Sequence, residues 1–104
     1  MRKLAVLAAT AVAAAAALVA VPAANSASSV SVKDNVFSPK STTISRGSTV
    51  TWRWRGRASH NVRGRGLSSA TQRSGTYRKR FRRSGTYRYQ CTIHSGMTGR
   101  IVVR

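Results

Sequence analysis

Cys91, His94 and Met97 stand at three-residue intervals within Tyr89-Gln90-Cys91-Thr92-Ile93-His94-Ser95-Gly96-Met97-Thr98-Gly99. Thiolate, imidazole and thioether are soft or borderline ligands, the set that suits copper. The chain has one Cys, two His and two Met, one of them Met1. The other histidine, His60, lies in a separate segment, His60-Asn61-Val62. Two His and one Cys in a plane, with a weak axial Met, make an electron-transfer copper geometry. Each residue alone has a plainer reading: a buried thiol, a surface imidazole, a packing Met. Together they use up every Cys and His of the chain, and zinc fits less well because it rarely takes a thioether.

Enzymatic readings find little support. Asp34 is the one acidic side chain, so no pair of carboxylates exists for acid–base work. A Cys–His nucleophilic pair leaves Met97 and the second histidine without a role. No catalytic residue is assigned, and the chain is not expected to be an enzyme. A single Cys also excludes an intramolecular disulfide and a four-cysteine zinc site.

The elements that position these residues read as short strands. Val30-Ser31-Val32 alternates, and Val36-Phe37 lies between the turn signals Asp34-Asn35 and Ser38-Pro39. Ser41 to Ile44 is a further short strand, stopped by Arg46-Gly47. From Ser48 to Arg55, Val50, Trp52 and Trp54 share one parity, and Thr49, Thr51, Arg53 and Arg55 the other. That is a strand with one buried face. Gly56 to Gly75 is polar, with His60-Asn61-Val62 as its ordered centre. Arg73-Ser74-Gly75-Thr76-Tyr77-Arg78 then recurs as Arg83-Ser84-Gly85-Thr86-Tyr87-Arg88, each copy a turn followed by a strand. Arg100 to Val103 closes the chain. About seven or eight short strands predict an all-β sandwich or barrel.

Residues 1–27 read as an export signal: Arg2 and Lys3, an apolar run from Leu4 to Val21, Pro22, then small residues. Candidate cut sites follow Ala23, Ser26 or Ala27. A retained membrane anchor is the competing reading of the same run. The domain is then 28–104, and an extracellular, periplasmic or cell-wall location is expected. Such a chain is small for a self-sufficient core, so a metal would help hold it.

The motifs Val36-Phe37-Ser38-Pro39, Gly47-Ser48-Thr49-Val50-Thr51-Trp52, His60-Asn61-Val62 and Ser84-Gly85-Thr86-Tyr87-Arg88-Tyr89-Gln90-Cys91, with the loop through Met97, resemble the cupredoxins. The likeness is to small bacterial plastocyanin-like and amicyanin-like proteins and runs from about Val30 to Val103. It implies a Greek-key β-sandwich and one type 1 copper held by His60, Cys91, His94 and Met97, with an exposed edge of His94 as the electron's exit. It also implies that Asn61 and Thr92 hydrogen-bond and tie the ligand loops together. Two features depart from many relatives. Ile93 and Ser95 stand where proline is common, so both keep an N–H that can reach the Cys91 sulfur or reshape the loop. The charge, formally +18 with nineteen Lys or Arg, is far from the neutral or acidic plastocyanins.

The function expected is exported, one-electron Cu(I)/Cu(II) transfer. The alternatives are copper delivery without a shuttle role and a cationic envelope-binding module. The field of such a chain steers anionic partners. A redox protein with an acidic docking surface is expected, with an anionic cell-envelope polymer as a further candidate. Nucleic acid is not expected as the primary partner, because Trp52 and Trp54 lie on the apolar parity of their strand rather than on a stacking surface. A monomer is expected.

Overall fold

The computed structural model describes residues 27–104; the export signal read in 1–27 lies outside them except for Ala27. All regular structure among the described residues is β. The strands are β1 (Ala27–Lys33), β2 (Val36–Ser38), β3 (Ser41–Ile44), β4 (Thr49–Trp54), β5 (Arg63–Gly64), β6 (Leu67–Ser68), β7 (Thr76–Arg80), β8 (Gly85–Gln90) and β9 (Thr98–Val103). They form a four-stranded sheet in the order β2-β1-β4-β7 and a five-stranded sheet in the order β3-β9-β8-β5-β6.

Two of the pairings, β1 with β4 and β9 with β3, are parallel, and the rest are antiparallel. Parallel neighbours cannot be joined by a tight hairpin. The chain therefore leaves one sheet, runs through the other and returns, as in a Greek-key sandwich. Successive strands change sheets at β2 to β3, β3 to β4, β4 to β5, β6 to β7 and β7 to β8.

The two-residue period of the strands builds the core. Val30 and Val32 of β1, Val50, Trp52 and Trp54 of β4, Tyr89 of β8, and Ile101 and Val103 of β9 are all buried. Trp52 and Tyr89 come from opposite sheets and meet edge to face at 5.4 Å between ring centroids. Phe37 meets Tyr89 at 4.8 Å, again edge to face, the arrangement that aromatic quadrupoles favour. Burial pushes the Tyr89 phenol up to about 12.

The structure adds detail that alternation alone does not carry. Thr51, on the polar parity of β4, is buried as well. The strand is internal to its sheet and Thr51 is flanked by Ser29 and Arg78, so a short side chain there is shielded by its neighbours. The β5–β6 hairpin lies in the segment that reads as polar loop, and its Leu67 enters the core. The two copies of the repeat supply β7 and β8, which belong to different sheets. Each copy turns on a glycine with positive φ, 99° at Gly75 and 145° at Gly85, a conformation that side chains with a Cβ rarely adopt.

Candidate metal centre

His60, Cys91 and His94 converge at one end of the sandwich. His60 follows the β4 turn and is fully buried. Its backbone N–H donates to Gln72 O, and its carbonyl accepts from Gln72 N, both at 3.0 Å. The same carbonyl also accepts from Trp54 Nε1 at 3.0 Å. Cys91 comes directly after β8 and points inward on the Tyr89 parity. His94 and Met97 occupy the loop between β8 and β9. Cys91 N donates to Met97 O at 2.9 Å, and Met97 N to His94 O at 3.3 Å. These bonds coil the loop so that buried Met97 and half-buried His94 return toward Cys91.

The facing atoms are both Nδ1 nitrogens and the thiol sulfur. His60 Nδ1 and His94 Nδ1 are 3.1 Å apart. Cys91 Sγ is 3.9 Å from the first and 3.5 Å from the second. The point equidistant from the three lies about 2.0 Å from each, close to the roughly 2.0–2.3 Å that a first-row metal such as zinc makes to imidazole and thiolate. Donors at these separations, with no room for a ring or side chain between them, fit a single small cation.

The His60 tautomer is set from behind. His60 Nε2 lies 3.0 Å from Asp34 Oδ1. A carboxylate only accepts, so Nε2–H donates and the lone pair of Nδ1 is left facing His94 and Cys91. Asp34 also accepts from Arg57 N at 3.0 and 3.1 Å and from Ala58 N at 3.0 Å. Hydrogen bonds from His60, then from the Ala58 and Arg57 amides, hold the Asp34 carboxyl at about 2, down from 3.8. A Cβ at Gly56 would run into this carboxylate, so the close turn needs glycine.

Asn61 joins the two ligand-bearing segments. Its Nδ2 donates to Thr92 Oγ1 and to Thr71 Oγ1, each at 2.9 Å, and its Oδ1 accepts from Thr92 N at 2.9 Å. Ile93, next to half-buried His94 in the chain, is 52% exposed. Among the described residues, the polar side-chain atoms beside the Cys91 sulfur are the two histidine nitrogens.

The role of Asp34 is the part of this site that motif reading misses. The one signal in the sequence is scarcity: Asp34 is a lone acid in a chain with nineteen bases, and the fold pairs it with buried His60. Thr71 and Gln72, from the segment that reads as loop, are likewise positioned only by the fold.

A family model described as copper binding proteins, plastocyanin/azurin family, matches residues 24–104. The chain belongs to this family: it is a cupredoxin, its cofactor is copper, and its general role is that of a copper-binding electron carrier. Among curated proteins no relative matches by sequence. Among solved structures, a reduced amicyanin variant is 30% identical, with a TM-score of 0.62, covering 75% of this chain and 82% of its own. A purple cupredoxin from Nitrosopumilus maritimus superposes with a TM-score of 0.69 at 20% identity, covering 74% of this chain and 99% of its own. A pseudoazurin from Sinorhizobium gives a TM-score of 0.62 at 24% identity, covering 76% of this chain and 74% of its own. The last two are likenesses of fold.

Proposed function

We propose that the chain is an exported one-electron carrier in which His60, Cys91 and His94 would hold copper, with Met97 as a further, weaker donor. The observation that carries this reading is the convergence of two Nδ1 atoms and one Sγ around a single point. Copper, when bound, supplies the Cu(I)/Cu(II) couple. The protein's part is to hold the donors still. His60 is pinned at its ring by Asp34 and at its backbone by Gln72 and Trp54. Asn61 ties that segment to the Cys91 loop. A site held this firmly has little to rearrange when one electron enters or leaves. The half-buried His94, beside exposed Ile93, is the edge at which a partner approaches.

Export rests on the charged, apolar and small-residue order of 1–27. The redox partner has an acidic docking surface, because a positive field speeds encounter with a negative one.

The test is the copper-loaded protein's visible spectrum. Wild type is expected to be blue through thiolate-to-copper charge transfer, and Cys91→Ser colourless. Met97→Leu keeps the colour and raises the reduction potential, since losing a weak thioether donor would disfavour Cu(II) more than Cu(I). A blue Cys91→Ser variant, or an unchanged potential in Met97→Leu, overturns the assignment of that ligand.

A further inference from the structure

The outer face of the five-stranded sheet carries a groove of about 580 Å³ lined by Lys40, Arg63, Arg88 and Arg100, with Ser41 and Gln90 among the polar residues between them. The fold, not the sequence, collects these cations. Lys40 directly precedes β3, Arg100 is on β9, Arg88 on β8 and Arg63 on β5. Those strands are consecutive in the sheet. At about 4.8 Å between strands, one cation per strand makes a track roughly 14 Å long across the sheet.

Two properties of this track suit an anionic ligand. Arg88 and Arg100 are direct cross-strand partners, and like charges placed opposite one another destabilise a sheet. The usual remedy, an interleaved carboxylate, is missing here: the one acidic side chain of the chain is bound to His60 and to backbone amides. Two of the guanidinium groups are also held in place. Arg100 Nε donates to Ser41 Oγ at 3.0 Å, and Arg63 Nε to Ser69 O at 2.9 Å. Each retains its Nη–H donors, and a guanidinium fork matches the oxygens of a phosphate.

The geometry points to this groove as a binding site for a linear polymer of repeated phosphates that carries no bases. A folded acidic protein fits less well. The groove has no exposed apolar residue to form the core of a protein interface, and exposed Ile93 belongs to the loop beside His94 instead. Nucleic acid fits less well because the groove's one aromatic, Tyr89, is buried, leaving no face on which a base could stack. A repeated row of cations in a concave track suits a repeated row of phosphates. Binding there uses none of the candidate copper ligands and should not depend on copper.

The test uses the copper-loaded full chain titrated with medium-chain polyphosphate by calorimetry over a salt series. Arg88→Gln/Arg100→Gln is expected to weaken binding about tenfold or more and to reduce the salt slope by about 1–2. Arg78→Gln/Arg82→Gln removes the same charge from β7 and its end, in the opposite sheet, and is expected to stay within about twofold of wild type. Amide shift mapping on wild type, which needs no variant to fold, is expected to centre on residues 63, 88 and 100. Equal weakening by the two double variants, or shifts spread over both sheets, overturns the site in favour of general charge. Polyglutamate of equal charge binding as tightly overturns the choice of phosphate over carboxylate, and single-stranded DNA binding more tightly overturns the choice of a chain without bases. Failure of polyphosphate to bind while an acidic protein shifts the same amides overturns it in favour of protein docking. Retention of polyphosphate binding in Cys91→Ser is expected, and its loss there refutes independence from the copper site.

Discussion

Asn61→Ala removes the clamp between the His60 segment and the Cys91 loop. Asn61 is 1% exposed and makes three side-chain hydrogen bonds, two to Thr92 and one to Thr71. A typical intramolecular hydrogen bond contributes about 1 kcal/mol net. Thr92 and Thr71 are exposed residues, so water can reach their freed groups and the larger penalty for an orphaned buried donor does not apply. The expected loss is therefore about 3 kcal/mol. In a domain of this size each kcal/mol moves the melting temperature by about 4–8 °C, which places the variant roughly 12–24 °C below wild type. The measurement is thermal unfolding of the copper-free protein followed by tryptophan fluorescence. Thr92→Val, which removes the hydroxyl but keeps the amide, completes a double-mutant cycle. Because either single substitution already removes the bond from Asn61 Nδ2 to the Thr92 hydroxyl, a coupling of about 1 kcal/mol is expected. A fall of less than about 4 °C in Asn61→Ala, or strict additivity in the cycle, would show that these contacts do not hold the loops together.

Three further outcomes are expected. Asp34→Asn weakens copper binding about 10–100-fold and raises the potential, since it removes a negative charge behind His60; competition titration and voltammetry check both. The carboxyl is depressed from 3.8 to about 2, so its stabilisation is complete above about pH 4 and is lost as pH falls toward 2. A urea-midpoint series should show that acid limb in wild type, and an identical limb in Asp34→Asn would refute the role of the carboxylate. Tyr89→Phe is neutral or stabilising by up to about 1 kcal/mol, because the buried Tyr89 hydroxyl has no hydrogen-bond partner among the described residues; a clear loss in denaturant stability would mean that the hydroxyl is satisfied. Electron transfer to an acidic acceptor slows as salt rises, since screening acts within about 8 Å at physiological ionic strength, and a flat stopped-flow salt series would argue against electrostatic docking.

Much of the architecture can be read from local pattern. Ser41 to Ile44 is a strand at the bounds its β-branched run and the following Arg46-Gly47 turn indicate. Val50, Trp52 and Trp54 are buried as their parity requires, because a pleated strand sends alternate residues to opposite faces. The candidate ligands could be found from scarcity and donor type, and three of them indeed meet at one point. Residue type and short spacing are properties of the chain, and they survive without knowledge of what lies across the sheet.

Long-range adjacency decided the rest. Asp34 meets His60 because the β1–β2 turn lies against the segment after β4, and nothing in the spacing of the two residues records that contact. The repeat gives two similar strands, yet Tyr77 packs near Trp52 and Tyr87 near Phe81 because β7 and β8 enter opposite sheets. Lys40, Arg63, Arg88 and Arg100 are ordinary outward-facing cations until β3, β9, β8 and β5 line up side by side. A strand's own pattern specifies which side chains face inward. Which strands become neighbours is settled by the crossings between sheets, a collective outcome of packing both inner faces into one core.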